Sequence, residues 1–190
     1  VDSQLRLDLE GMLTVARGAG LIFVNNPNNP TATVHSGKVI ADFVERVRRI
    51  SPDTVILIDE AYHDYVTDPA YETAIPLALA TPNVFVARTF SKAYGMAGMR
   101  IGYAIGQSDT MKPLARVKMP YDVSVFGIAA SLAAIANPQH FVQERARNGK
   151  RLGLIAADGF RVGAIEQLRL YADILGAPLA VARTVAGRSR

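Results

Sequence analysis

Three polar clusters break an otherwise apolar chain: Asn25–Thr31 (NNPNNPT), Asp59–Tyr62 (DEAY) and Thr89–Lys92 (TFSK). Lys92 follows an apolar run. Desolvation and a neighbouring cation there lower the pKa of an amine and free its neutral form to attack a carbonyl, as a Schiff-base lysine does. Arg100 lies eight residues further on, past a glycine-containing turn. An arginine with the Thr89 and Ser91 hydroxyls nearby makes a cradle for phosphate. Asp59 ends the run VILI. A carboxylate in that setting pairs with a protonated ring nitrogen and makes the ring an electron sink. Tyr62 and Asn29 can donate hydrogen bonds to a phenolate oxygen of the same ring. Each cluster alone also has an ordinary reading: a turn, a helix cap, a solvated lysine.

The elements that position these clusters follow from periodicity. Continuous apolar runs predict strands over 21–24, 55–58 and 83–87, each buried on both faces, and a fourth strand from Arg100 to Ile105. Helical spacing predicts helices over 4–18, 36–50 with Ser36 as N-cap, near 73–80, near 108–118 and 124–136, and from Pro138 to about Arg151. Strand and helix alternate, which predicts an α/β fold with a mostly parallel sheet and flanking helices. Ligands of such sheets bind at the carboxyl ends of the strands. The three clusters sit at three successive strand ends with complementary chemistries, and together they are the parts of a site for pyridoxal 5'-phosphate.

Composition narrows the field. The chain has 190 residues, 49% of them hydrophobic and 20% charged, and no cysteine. It is long enough to bury a core without disulfide or metal staples. His35, His63 and His140 are too scattered for a zinc pair. Residues 1–143 hold 12 Lys and Arg against 13 Asp and Glu, a net of −1, and residues 144–190 hold 9 against 4, a net of +5. The basic residues of the tail interleave with apolar ones and form no cluster, so no nucleic-acid partner is expected. No apolar run approaches a membrane span, and the N-terminus lacks the pattern of a signal peptide. The absence of an initiator Met predicts a chain that starts within a larger domain.

The motifs NPNNPT (Asn26–Thr31), ILIDEAY (Ile56–Tyr62) and TFSKAYGMAGMRIGY (Thr89–Tyr103) resemble those of fold-type I pyridoxal-phosphate aminotransferases of class I/II, closest to the histidinol-phosphate aminotransferase group. The resemblance covers about residues 1–150. It implies a partial large domain of that fold, with Lys92 joined to the cofactor aldehyde and later acting as a base. It further implies Asp59 on the pyridine nitrogen, Tyr62 and Asn29 on the phenolate oxygen, and Thr89, Ser91 and Arg100 on the phosphate. It implies an amino acid or histidinol phosphate and a 2-oxo acid as substrates, a cis Asn29–Pro30 bond, a homodimer and a cytoplasmic location. Other fold-type I enzymes, lyases or decarboxylases, use the same cofactor residues. The sequence departs from the family at Ala32, where the loop usually carries glycine; a positive φ there would strain the turn. The family's ring-stacking aromatic, second phosphate-binding loop and carboxylate-gripping arginine have no counterpart motif, which predicts little turnover by this chain alone.

The tail over 151–190 is expected to be an unrelated or poorly packed strand–helix unit. Residues 151–182 resemble part of a signal-recognition-particle-type GTPase, through Asp158, Arg161, Ala164, Gln167 and Leu168. A GTPase-derived interaction fragment is the reading of another class that this supports. No G-x-x-x-x-G-K-[ST] loop precedes the motif, so no nucleotide phosphate cradle is expected.

Overall fold

β1 (Leu21–Asn25), β2 (Val55–Asp59), β3 (Val84–Thr89) and β4 (Gly102–Gly106) form a four-stranded sheet in chain order. They are seen in a computed structural model that describes residues 1–119, 122–139, 142–143, 154–156 and 179–181. β1 pairs with β2 and β2 with β3 in parallel, and β4 runs antiparallel to β3. Helices α1 (Leu9–Thr14), α2 (Gly37–Ile50), α3 (Ile75–Ala80), α4 (Ser108–Val117) and α5 (Val125–Ala136) flank them, with single 3₁₀ turns at His63–Tyr65 and Ala97–Met99. The predicted α/β class with a mostly parallel sheet is the one observed.

The strand order explains where the core lies. A right-handed crossover places its helix on one side of the sheet. Successive crossovers that all step in the same direction place α2 and α3 on the same side. Ile22 and Val24 of β1, Ile56 and Ile58 of β2, and Val84 and Val86 of β3 share a core with Leu9 and Leu13 of α1, Ile40, Phe43, Val44 and Val47 of α2, and Ala78 of α3. Each large side chain so buried contributes about 1.5–3 kcal/mol relative to exposure. The sequence reading needs correction for β1, which is not buried on both faces, whereas in β3 Val84, Phe85 and Val86 are all buried. On the side opposite the core Leu21 is 56% and Phe23 48% exposed. Period-2 alternation sends half of each apolar run to that side.

α2 begins where predicted, with Ser36 Oγ accepting a hydrogen bond from the Val39 amide at 3.4 Å. The helix expected over 4–18 is shortened to α1. Asp8 caps it by accepting from Gly11 N at 2.8 Å. Before that cap, Leu5 has a left-handed φ of 61°, and the Asp2 carboxylate takes the amides of Gln4 and Arg6. Gly102 lets β4 close on β3, since a Cβ there would lie 2.7 Å from the Arg88 carbonyl oxygen.

The chain divides into two compact units, Val1–Arg145 and Ala146–Arg190. In the second, β5 (Leu154–Ala156) pairs in parallel with β6 (Leu179–Val181). The motif from Asp158 to Leu168, the helix expected after it, and most of the helix expected from Pro138 to Arg151 lie outside the described residues. Among the described residues no helix is long and apolar enough to cross a membrane.

Candidate active site

Alternation along the strands decides which polar groups meet. On β2 and the residue after it, Ile56, Ile58 and Glu60 are buried on the core side, while Leu57 and Asp59 point the other way. On β3 the same alternation puts Val84, Val86 and Arg88 on the core side and Ala87 and Thr89 opposite. Asp59 and Thr89 therefore share the non-core face at the carboxyl end of the sheet. Asp59 lies in register between Asn25 and Ala87. One of its oxygens, Oδ1, accepts from the Ala61 amide at 2.9 Å, which turns the chain toward Tyr62.

The turn after β3 is built on the Thr89 hydroxyl. Its Oγ1 accepts from Ser91 N at 3.0 Å and donates to the Ile101 carbonyl at 3.4 Å. This brings Thr89 and Ser91 together and projects the exposed Lys92 back over the site. Lys92 Nζ stands 5.1 Å from the centroid of the Tyr62 ring. Tyr62 and Asn29 in turn line a cleft of about 310 Å³ with Pro27, Pro30, Tyr65 and Val66. Asp59 and Lys92 lie outside the walls of this cleft. Arg100 is exposed, with a left-handed φ of 51°, and its Nη1 donates to the Ala97 carbonyl at 2.9 Å. The structure thus brings together Asn29 with Tyr62, Tyr62 with Lys92, and Thr89 with Ser91. It holds the Arg100 guanidinium within its own loop.

The loop after β1 is fixed by its own amides. The buried Asn26 exchanges two hydrogen bonds with the His35 backbone, at 2.8 and 3.1 Å. Asn28 Nδ2 donates to Thr31 Oγ1 at 2.7 Å. The Asn26–Pro27 and Asn29–Pro30 bonds are both cis. Ala32 has φ 55°, the conformation that glycine tolerates best.

The core side of the same strand ends carries a network that the sequence reading passed over. Glu60, 2% exposed, accepts from the Ala74 amide at 2.6 Å, Thr73 Oγ1 at 2.9 Å, and Arg88 Nε and Nη2 at 2.9 and 2.8 Å. Burial would depress the Arg88 pKa, but its hydrogen bonds and ion pair with Glu60 raise it above the usual arginine value. Burial, and then the Glu60 charge, push the Tyr71 hydroxyl well above the ordinary tyrosine range. Burial and the charge of Asp64 raise Tyr94. A signal for the network existed in the sequence. The motifs DE and RT end adjacent strands, and a parallel pairing of those ends puts Glu60 and Arg88 on one face.

Comparison with known proteins decides the lineage. The model of the family described as "Aminotransferase class I and II" matches residues 2–165. The chain belongs to the class I and II aminotransferase family. It is 36% identical over 169 residues to histidinol-phosphate aminotransferase 2 of Nitrosospira multiformis, covering 88% of this chain and 42% of that one. It is 47% identical over 148 residues to an aromatic amino acid aminotransferase of Mycobacterium tuberculosis, covering 74% of this chain and 41% of that one. Among solved structures, histidinol-phosphate aminotransferase from Sinorhizobium meliloti, in complex with pyridoxal-5'-phosphate, superposes with a TM-score of 0.69 at 31% identity, covering 76% of this chain and 39% of that one. The chain spans about two fifths of the length of the curated relatives it matches. The aminotransferase match runs past residue 150 to residue 165, over Asp158, Arg161 and Ala164, so it claims for the aminotransferase family part of the segment expected to resemble a GTPase, and that resemblance gains no support.

Proposed function

We propose that this chain carries the cofactor-holding part of a pyridoxal-phosphate-dependent aminotransferase. The observation that supports the reading is Lys92 Nζ standing 5.1 Å from the Tyr62 ring, with Asp59 at the carboxyl end of the neighbouring strand β2. The donor set fits the cofactor group by group. An amine suits its aldehyde, a carboxylate its ring nitrogen, a phenol and an amide its phenolic oxygen, and two hydroxyls with a guanidinium its phosphate.

When bound, pyridoxal phosphate supplies an aldehyde that takes up an amino group and a ring that holds the electron pair released at the substrate carbon. The chain's own residues do the rest. Lys92 is the amine that would hold the aldehyde, and its amino group would serve as the base that moves a proton at the substrate carbon. Asp59 keeps the ring nitrogen protonated through charge pairing. Tyr62 and Asn29 orient the ring by donating to its phenolic oxygen. Ser91 would hold the phosphate, and Thr89 and Arg100 would join it by turning from the Ile101 and Ala97 carbonyls to which they donate here. The substrates of this reading are histidinol phosphate or an aromatic amino acid as amino donor, and a 2-oxo acid as acceptor. The names of the relatives support both donors. A homodimer in the cytoplasm completes the proposal.

The test is to incubate the full chain with pyridoxal phosphate, reduce with borohydride and map the adduct by peptide mass spectrometry. A stoichiometric adduct on Lys92 is expected; scattered surface labelling overturns the reading. Amino-acid addition separates transamination from lyase or decarboxylase chemistry, because only transamination accumulates pyridoxamine phosphate. We also propose that the tail over 151–190 is a separate unit, a reading supported by the division of the chain after Arg145. Limited proteolysis near 148–152 tests it, and a tail that resists digestion counts against it.

A further inference from the structure

The Glu60–Arg88 pair is out of place as a stabiliser. Two charges taken from water recover little net stability, and an apolar pair often serves as well. Its position in the chain suggests another role. Glu60 directly follows Asp59, and Arg88 directly precedes Thr89. The pair therefore sits back to back with the candidate site, on the other side of the same two strand ends. The Glu60 amide donates to the Ala87 carbonyl at 2.9 Å, which carries the β2–β3 pairing one residue past Asp59. The carboxylate then takes two nitrogens of one guanidinium, at 2.9 and 2.8 Å, and the Ala74 amide at 2.6 Å. Arg88 Nη2 also donates to Thr73 Oγ1 at 2.8 Å. Both nitrogens meet one oxygen, Oε2, and the Ala74 amide holds the other, Oε1, so the carboxylate is fixed from both sides. The backbone ladder sets the register of the two strands up to this point, and the ion pair ties the side chains just beyond it.

We propose that Glu60 and Arg88 are positioning residues. Their ion pair locks the ends of β2 and β3 in register, so that Asp59 and the Thr89–Lys92 turn stand at a fixed separation on the opposite face. This rests on the pyridoxal-phosphate reading above. Both side chains lie on the core side, away from the face that carries Asp59 and Thr89. Glu60, with its oxygens taken by Ala74, Thr73 and Arg88, acts through the backbone of its neighbour.

The test compares the wild-type chain with Glu60→Gln, Arg88→Lys and a control, Arg46→Gln. The control removes an ion pair to Glu10 that is exposed and remote from the strand ends. Affinity for pyridoxal phosphate is measured by equilibrium dialysis at low temperature, with folding checked by circular dichroism. Hydrogen exchange is followed in the peptides covering 56–62 and 85–92. Glu60→Gln is expected to weaken binding about ten-fold and to speed exchange in both peptides, as a loosened supporting bond does at a preorganised site. Arg88→Lys keeps the charge but loses the fork, and is expected to weaken binding about three-fold. Arg46→Gln is expected to bind as wild type.

If the folded variants bind as tightly as wild type and lose only thermal stability, the pair is merely structural and the inference fails while the cofactor reading stands. If Glu60→Gln does not fold, Arg88→Lys decides: wild-type affinity and exchange overturn the proposal, and weaker binding with faster exchange upholds it. A wild-type chain that binds no pyridoxal phosphate overturns the cofactor reading itself, and this inference with it.

Discussion

Asp59 and Glu60 are adjacent carboxylates on one strand end, yet they face opposite worlds. Glu60 looks into the core, where a guanidinium, a hydroxyl and a backbone amide satisfy it. Asp59 looks out onto the open face, where the Ala61 amide takes one of its oxygens. The same contrast holds on the next strand, with Arg88 inward and Thr89 outward. One side of the sheet spends its polar groups on one another. The other carries Asp59 and Thr89 at its strand ends, with Lys92 and Tyr62 close by. A pleated strand end can thus serve structure and chemistry with consecutive residues.

Substitutions on the two sides should separate function from stability. The largest effect is expected from Lys92→Ala, which should abolish the borohydride-trapped adduct. Because Lys92 is exposed, its urea midpoint should shift by no more than about 0.5 kcal/mol equivalent. A large stability loss in this variant would mean that the outward side also holds the fold.

Ile58→Ala, inside the core, is expected to cost about 2–5 kcal/mol in urea denaturation. Phe23→Ala on the opposite face should cost less than half as much, since 48% of Phe23 is already exposed. Equal costs would erase the distinction between the two sides.

Alkaline titration gives a smaller effect. Burial and the Glu60 charge hold the Tyr71 proton on in the folded chain after the unfolded chain has released its own. The folded state then binds more protons, so stability should be full below about pH 10 and fall as the pH rises above it. Tyr71→Phe should flatten that fall when melting temperature is followed against pH. An unchanged slope would place the titration elsewhere, with Tyr94 the next group to substitute.

The smallest effect is expected from Ala32→Gly, which relieves a φ of 55°. The gain is partly offset by the greater freedom of glycine in the unfolded chain, leaving a net stabilisation of about 0.5 kcal/mol. A raised urea midpoint at constant slope would confirm it.

Much of this was legible beforehand for physical reasons. Runs such as VILI and NVFVA are short, rich in β-branched residues and bounded by turn residues, which favours strands over buried helix, and Ser36 before an amphipathic stretch has the side chain a helix start needs. The outward polar groups were legible because each belongs to a cluster of unusual chemistry. The inward network was not, because Glu60 and Arg88 become partners only once two strand ends are laid side by side in register. The exposure of Leu21 and Phe23 was also hidden, since a continuous apolar run does not say which of its faces is covered. Helix α1 came out short because the Asp2 and Asp8 carboxylates bond backbone amides that a longer helix would have needed.

The sheet's order, β1–β2–β3–β4, has a consequence for the birth of the molecule. Each new strand adds to the edge formed by the one made just before it. A chain leaving the ribosome can lay down its sheet in the order of its synthesis, keeping the gap in sequence between pairing strands small. Within this sheet the Thr89–Lys92 turn comes into place only when β3 joins the finished ends of β1 and β2, so Lys92 arrives after Asn29, Asp59 and Tyr62 and before β4 closes the edge.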